Sequence, residues 1–131
     1  MKTDAELNRL IAERVMGYRF EPHTVMLGKD AITFDGYAPD GLHWKRDGMD
    51  RYLNYTTDPA AWGALFVWLA DQDRLPSLKN AAKIVSVFAP HPLWIAEVKN
   101  SSDWRNQRQS ELPGRALVLA TLAAYGVEVE G

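Results

Sequence analysis

Residues 110–126, SELPGRALVLATLAAYG, contain the longest nearly apolar stretch of the chain. Between residues 116 and 124 only Thr121 interrupts the apolar side chains, which predicts a helix that is apolar almost all round. Pro113 is tolerated in the first turn, because the amides there have no partner within the helix, and Gly126 is suited to end it. Such a helix must be covered on more than one side, by the rest of the chain or by a second copy.

A second helix is predicted at the start of the chain. Thr3 and Glu6 form a capping box, in which each side chain bonds the backbone amide of the other, and Gly17 supplies the left-handed position that ends the helix. One face is apolar at helical spacing and is formed by Leu7, Leu10, Ile11 and Val15. This helix is therefore expected to cover the core with one side only.

A third helix is predicted in the middle of the chain. Asp58 is a good N-cap and Pro59 suits the first helical position, while the helix should fade near residues 71–73. Its inward stripe consists of Trp62, Leu65, Phe66 and Leu69. Ser110 is expected to play the same capping role for the closing helix.

The segments between these helices predict short strands. Residues 24–27 and 31–34 flank a glycine-containing turn at 28–30 and predict a hairpin. Residues 42–45 and 51–55 are candidates for further short extended runs, separated by turns that contain glycine.

The second half of the chain contains the strongest strand patterns. Residues 83–88 and 93–98 are predicted to pair across a rigid Pro-His-Pro turn. Residues 99–109 show no apolar periodicity and are expected to form a polar loop, while 127–130 are either a frayed tail or a short edge strand. The pattern as a whole predicts one α+β domain over 1–131, with a mostly antiparallel sheet flanked by helices in an α-β-α sandwich-like arrangement.

Composition narrows the class of protein. Among the 131 residues 47% are hydrophobic and none is cysteine, so a disulfide framework and a thiolate metal site are excluded. A formal net charge of −2 argues against general nucleic-acid coating. The chain shows neither a signal-peptide pattern nor an apolar run long enough to span a bilayer, which predicts a soluble, cytoplasmic protein.

Three segments in order resemble a known family. They are LNRLIAERVMG at 7–17, YTTDPAAW at 55–62 and LPGRALVLATLAA at 112–124. Together they resemble the phage α-β-α sandwich domains, whose first helix is "AEKVMGW"-like, whose middle helix begins "YSTD-AAAW"-like and whose last helix is "TAP-AICRAAL"-like. Residues 36–54 and the polar segment 99–109 depart from that pattern. The resemblance implies a sheet with packed helices and a phage or prophage origin, but no activity.

Motifs that carry catalysis or hold cofactors are absent from the sequence. His23, His43 and His91 have no second ligand at helical spacing, so no metal site and no cofactor are predicted. There is no serine elbow and no phosphate-binding glycine loop. Glu97 lies in a strand pattern, where a carboxylate is either a candidate acid or marks a solvent-facing position.

The tryptophans are the most unusual feature, since there are five of them. Two lie beside arginines in polar segments, a composition that is enriched at binding hot spots and that also suits base stacking. The alternative interpretation is that each of these two packs its loop onto the domain. The candidate contact residues are Trp104, Arg105, Asn106 and Arg108 in one segment, and His43, Trp44 and Arg46 in the other.

Four functions are compatible with these observations. The first is a phage-encoded, non-enzymatic protein-binding inhibitor of a host defence complex, such as a CRISPR effector. The second is a sponge for a cyclic nucleotide or cyclic ADP-ribose-type signal, forming an oligomer through the closing helix. The third is a small enzyme acting on a nucleotide or nucleic acid through His43, His91 and Glu97, and the fourth is a virion or morphogenesis component.

Overall fold

The computed structural model describes residues 2–37, 54–80 and 93–129 and the backbone of 43–44. Within these residues the helices are α1 (Asp4–Leu10, which continues as a wide π-helical turn over Ile11–Val15), α2 (Pro59–Asp71) and α3 (Pro113–Ala124). The strands are β1 (His23–Leu27), β2 (Asp30–Phe34), β3 (Gly36–Tyr37), β4 (His43–Trp44), β5 (Ser77–Asn80), β6 (Trp94–Lys99) and β7 (Arg105–Ser110).

All strand pairing in the described residues is antiparallel. β1 and β2 form the predicted hairpin, β3 pairs with β4, and β5, β6 and β7 form a three-stranded sheet with β6 in the centre. Leu78 and Arg108 lie opposite Ala96 on its two sides. The prediction of an α+β fold with antiparallel sheets and flanking helices is confirmed.

Helix α3 lies between the three-stranded sheet and the other two helices. It contacts β5, β6 and β7, and it also contacts α1, the π-helical turn and α2. Arg115, Leu119 and Ala123, spaced four residues apart, form a partly exposed stripe, and Pro113 at the start of the helix is the remaining residue that is not fully buried. The chain itself therefore covers the apolar helix, and no second copy is needed to explain its composition.

The predicted N-terminal ends of α1 and α2 are confirmed. The hydroxyl of Thr3 accepts a hydrogen bond from the amide of Glu6 at 3.2 Å, and the carboxylate of Asp58 accepts one from Ala60 at 3.0 Å. Gly17 follows the first helix with a φ of +87°. These caps satisfy amides that have no partner inside the helix.

The predicted polar loop at 99–109 is wrong over most of its length. Its second half is strand β7, which pairs with β6 from Lys99 opposite Arg105 to Trp94 opposite Ser110. A strand at the edge of a sheet can be polar on both faces, since solvent reaches it from the side. Only the turn at 100–104 remains as a loop.

The closing helix begins later than predicted. Ser110 is the last residue of β7, and Leu112 occupies the N-cap without a capping side-chain bond. The Ser110 hydroxyl instead accepts a hydrogen bond from the Leu112 amide at 3.3 Å. Proline at the first helical position needs no capped amide, which explains why the helix begins at Pro113.

The remaining predicted strands fall only partly within the described residues. Residues 83–88 lie outside them, and the strands that pair with β6 are β5, which the sequence pattern did not predict, and β7. Of the expected run 51–55, only the last two residues are described, and Tyr55 lies in a turn. Val127 and Val129 form no strand and pack against the core.

A buried asparagine joins α1 to the turn before α2. Asn8 is only 4% exposed; its Oδ1 accepts from the Thr56 amide at 3.0 Å and its Nδ2 donates to Asn54 Oδ1 at 3.2 Å. Because Thr56 is itself buried, its amide would lose this partner without gaining water.

We expect Asn8→Ala to lower the free energy of unfolding by about 1–3 kcal/mol, the cost of an unsatisfied buried amide. Urea unfolding followed by far-UV circular dichroism measures this change. Glu13→Ala is the control on the same helix, since its ion pair with Arg9 is at the surface and should contribute less than about 0.5 kcal/mol. Equal effects of the two substitutions would contradict the role assigned to Asn8.

Candidate functional site

The turn between β6 and β7 is held by its own side chains. Asn100 Oδ1 accepts from the amides of Ser102 at 2.9 Å and Trp104 at 3.0 Å, and the Asn100 amide donates to the Trp104 carbonyl at 2.8 Å. Lys99 Nζ lies 3.2 Å from Asp103 Oδ1, and Asp103 has a φ of +66°. The turn is therefore ordered before anything binds to it.

Trp104 projects from this turn into solvent. Its exposed fraction is 74%, the highest among the large apolar residues of the described chain. The residue therefore does not pack its turn onto the domain, which was the alternative interpretation of the sequence. An exposed tryptophan on a fixed backbone offers a large contact area that costs little conformational entropy to use.

Arg105 joins the three strands of the sheet. Its Nε donates to Glu97 Oε2 at 2.8 Å, and its Nη2 donates to the Leu75 carbonyl at 3.0 Å and lies 3.5 Å from Ser77 Oγ. These contacts run from β7 across β6 to β5 and the residues before it. Arg105 thus holds the sheet together beside the turn, and Glu97, the acid considered for an enzyme, is its ion-pair partner.

Asn106 and Arg108 lie on the opposite face of β7 from Arg105, because side chains alternate along a strand. They face the same side as the buried Ala96 and Val98, which lie opposite them in β6. There they line a cleft of about 640 Å³ between β7, α3 and the segment that follows α3. The other lining residues are Gln109, Leu119, Ala123, Gly126, Val127, Glu128 and Val129.

Arg108 has only a local hydrogen bond. Its Nη1 donates to the carbonyl of Gln107 at 2.7 Å, and within the described ranges it has no carboxylate within 4 Å. Glu128 lines another part of the cleft. The guanidinium of Arg108 can therefore accept a further acidic partner.

A second cleft of about 360 Å³ adjoins the turn. Asn100 and Ser101 form one wall, and Arg74 lies 4.7 Å above the ring of Tyr125 on the other. Ala123 and Gly126 line both clefts, which therefore lie on two sides of the end of α3.

The second predicted segment is placed only in outline. The backbone of His43 and Trp44 pairs with Tyr37 and Gly36, while the side chains of both residues and the whole of Arg46 lie outside the described residues. His91 lies outside them as well. His23 stacks on Tyr37 with ring centroids 4.5 Å apart and so packs within its hairpin region.

Some residues that support the site were not predicted from the sequence pattern. The Asn-Ser-Ser-Asp composition at 100–103 is typical of a turn, and this signal could have located the ordering role of Asn100. Lys99, Gln107 and Gln109 carried no such signal, since their roles depend on strand pairing.

Neither a metal-binding cluster nor a membrane-spanning helix occurs among the described residues. No group of three or more histidine, aspartate or glutamate side chains there is arranged to hold a metal ion. None of the helices described has the length and apolarity needed to cross a membrane. No protein-family model, curated protein or solved structure matches this chain.

Proposed function

We propose that this protein is a non-enzymatic binding protein that holds a partner protein through the Trp104 turn, residues 100–104. The observation that carries this proposal is the 74% exposure of Trp104 on a turn fixed by Asn100 and by the Lys99–Asp103 ion pair. Tryptophan is enriched among residues that dominate binding energy, and a preformed backbone lowers the entropy cost of association.

The arrangement of the arginines favours a protein partner over a nucleotide signal. A nucleotide stacked on Trp104 would need cations nearby for its phosphates. Arg105 directs its donors to Glu97 and Leu75, and Arg108 lies on the other face of the strand. The two guanidinium groups therefore do not converge beside the indole ring.

The resemblance of 7–17, 55–62 and 112–124 to phage domains supports one class of partner to test first. Host defence complexes, including CRISPR effectors, are that class, and inhibition would follow if the bound protein occupied the effector's working surface. Purified phage particles are the second material to test, because a virion component would be found there.

We expect Trp104→Ala to weaken binding of the partner about 30-fold, which corresponds to roughly 2 kcal/mol for a hot-spot residue, while stability stays unchanged. A photoreactive phenylalanine analogue at position 104 would covalently capture the partner from a lysate of the source cells. The purified partner then gives the affinities of the wild-type protein and the Trp104→Ala variant by calorimetry.

Val67 provides the matched control, because it is 60% exposed on α2, outside the turn. The photoreactive residue at 67 should capture nothing in common with that at 104, and Val67→Ala should bind like the wild type. Identical captured proteins at both positions, or an unchanged affinity of Trp104→Ala, would refute the proposal.

A further inference from the structure

The direction of the backbone groups of β7 follows from two hydrogen bonds at the end of the sheet. The Lys99 amide donates to the backbone carbonyl of Arg74, on the β5 side. The Asn100 amide donates to the backbone carbonyl of Trp104, on the β7 side. The backbone N–H and C=O groups of successive residues point to opposite sides of a strand. Because those of Asn100 point towards β7, those of Val98, two residues earlier, do so as well. Its partner Asn106 therefore turns its N–H and C=O inwards, to β6.

The same alternation fixes the rest of β7. Arg108 and Ser110 also use their backbone groups within the sheet, whereas those of Arg105, Gln107 and Gln109 point away from it. All three outward residues are exposed, and no described residue pairs with this side of β7. An open strand edge of this kind can pair with an extended chain.

We propose that the partner adds an extended strand to the open edge of β7, with a carboxylate side chain that pairs with Arg108. This inference rests on the proposed function and specifies how the partner binds. Strand addition provides backbone hydrogen bonds, while side chains on alternate residues enter pockets. The cleft under Arg108 offers such a pocket, with Leu119 and Val127 for an apolar side chain.

The positive charge of β7 favours an acidic strand from another protein over a second copy of this chain. β7, RNQRQS, contains two arginines and no acid. Glu97 already pairs with Arg105, whereas Arg108 has no ion pair among the described residues. Another β7 would bring further arginines to the same edge, and like charges opposite each other are destabilising.

In the absence of such a partner, the Arg108 side chain covers one backbone carbonyl of the edge. Its Nη1 donates to the Gln107 carbonyl, one of the groups that an incoming strand must use. A carboxylate on the incoming strand draws the guanidinium away, and a backbone amide of that strand then donates to Gln107. A neutral strand offers the arginine no replacement, so the exchange favours acidic sequences.

The experiment starts from a displayed library of random linear 12-residue peptides selected on the intact protein. The best binder is synthesised with a fluorescent label, and anisotropy gives its Kd. We expect the binder to contain an acidic residue whose change to the neutral amide weakens binding about tenfold. Methylation of alternate backbone nitrogens should abolish binding in one frame, where the amides meet β7, and leave it unchanged in the other.

Variants of the protein test the same edge. Gln107→Pro removes an outward amide and should weaken binding at least tenfold, while Gln107→Ala, which keeps that amide, should bind like the wild type. Arg108→Ala should weaken the acidic peptide but not its neutral analogue, and Arg108→Lys should restore part of the preference. If Gln107→Pro does not fold, as judged by circular dichroism, the methylated peptides decide the result.

Several results would overturn strand addition. For the peptides, these results are failure to select any binder and equal binding of both methylation frames. For the protein variants, they are a preference for acidic peptides that survives Arg108→Ala, and a homodimer, seen by sedimentation, that Gln107→Pro abolishes. A captured partner that depends on Trp104 but not on Gln107→Pro would leave the proposed function standing and refute this inference alone. A partner that is indifferent to Trp104→Ala refutes the proposed function.

Discussion

Replacement of Gly114 by alanine is expected to lower the free energy of unfolding by about 3 kcal/mol, near the upper end of the usual cost of overpacking. The added Cβ would lie 2.5 Å from Trp62 Cδ1, 2.5 Å from the Tyr55 carbonyl oxygen and 2.6 Å from the Thr56 carbonyl oxygen. Two of these three atoms belong to the backbone, so relief requires a shift of the turn before α2 against α3.

Gly63→Ala is the matched control for this prediction. Gly63 lies inside α2, and a Cβ there would meet nothing within 4 Å. Alanine in a helix interior is more favourable than glycine, so we expect this variant to be more stable by about 0.5–1 kcal/mol. Urea unfolding of both variants checks the pair, and a Gly114→Ala variant as stable as the wild type would show that α2 and α3 do not approach as described.

Leu117→Ala is the second substitution with a large expected effect. Leu117 is fully buried on α3, the helix that contacts both the sheet and the other two helices. Truncation removes buried methyl groups and leaves a cavity that surrounding layers cannot easily fill, which costs about 2–5 kcal/mol. Thermal and urea unfolding measure the loss.

Val67→Ala provides the comparison for Leu117→Ala. Val67 is 60% exposed on α2, so its truncation should change the free energy of unfolding by less than about 0.5 kcal/mol. A small effect of Leu117→Ala, similar to that of Val67→Ala, would mean that α3 is not the centre of the core.

The features that could be predicted from the sequence are those set by neighbouring residues. Thr3 and Asp58 each cap a helix through a bond to an amide two or three residues along the chain, so their patterns are local. The apolar residues of α3 likewise indicated burial on several sides. The sequence could not show that the covering layers come from this same chain.

The features that could not be predicted depend on residues far apart in the chain. Asn8 meets the Thr56 amide 48 residues away, and no local pattern marks that contact. The sequence pattern did not predict β7, because an edge strand needs no apolar face. Once β7 is known, alternation places Arg105 and Arg108 on opposite faces, although their spacing in sequence suggested one binding cluster.

The central position of α3 also affects how the chain folds during synthesis. The helix is translated after α1, α2 and all the described strands, yet it supplies the surface on which the sheet and both helices pack. At roughly 5–20 residues per second, the emerging chain spends seconds with apolar residues of those elements still uncovered. Completion of this core thus waits for α3, and until then the nascent chain exposes apolar surface of the kind that chaperones bind.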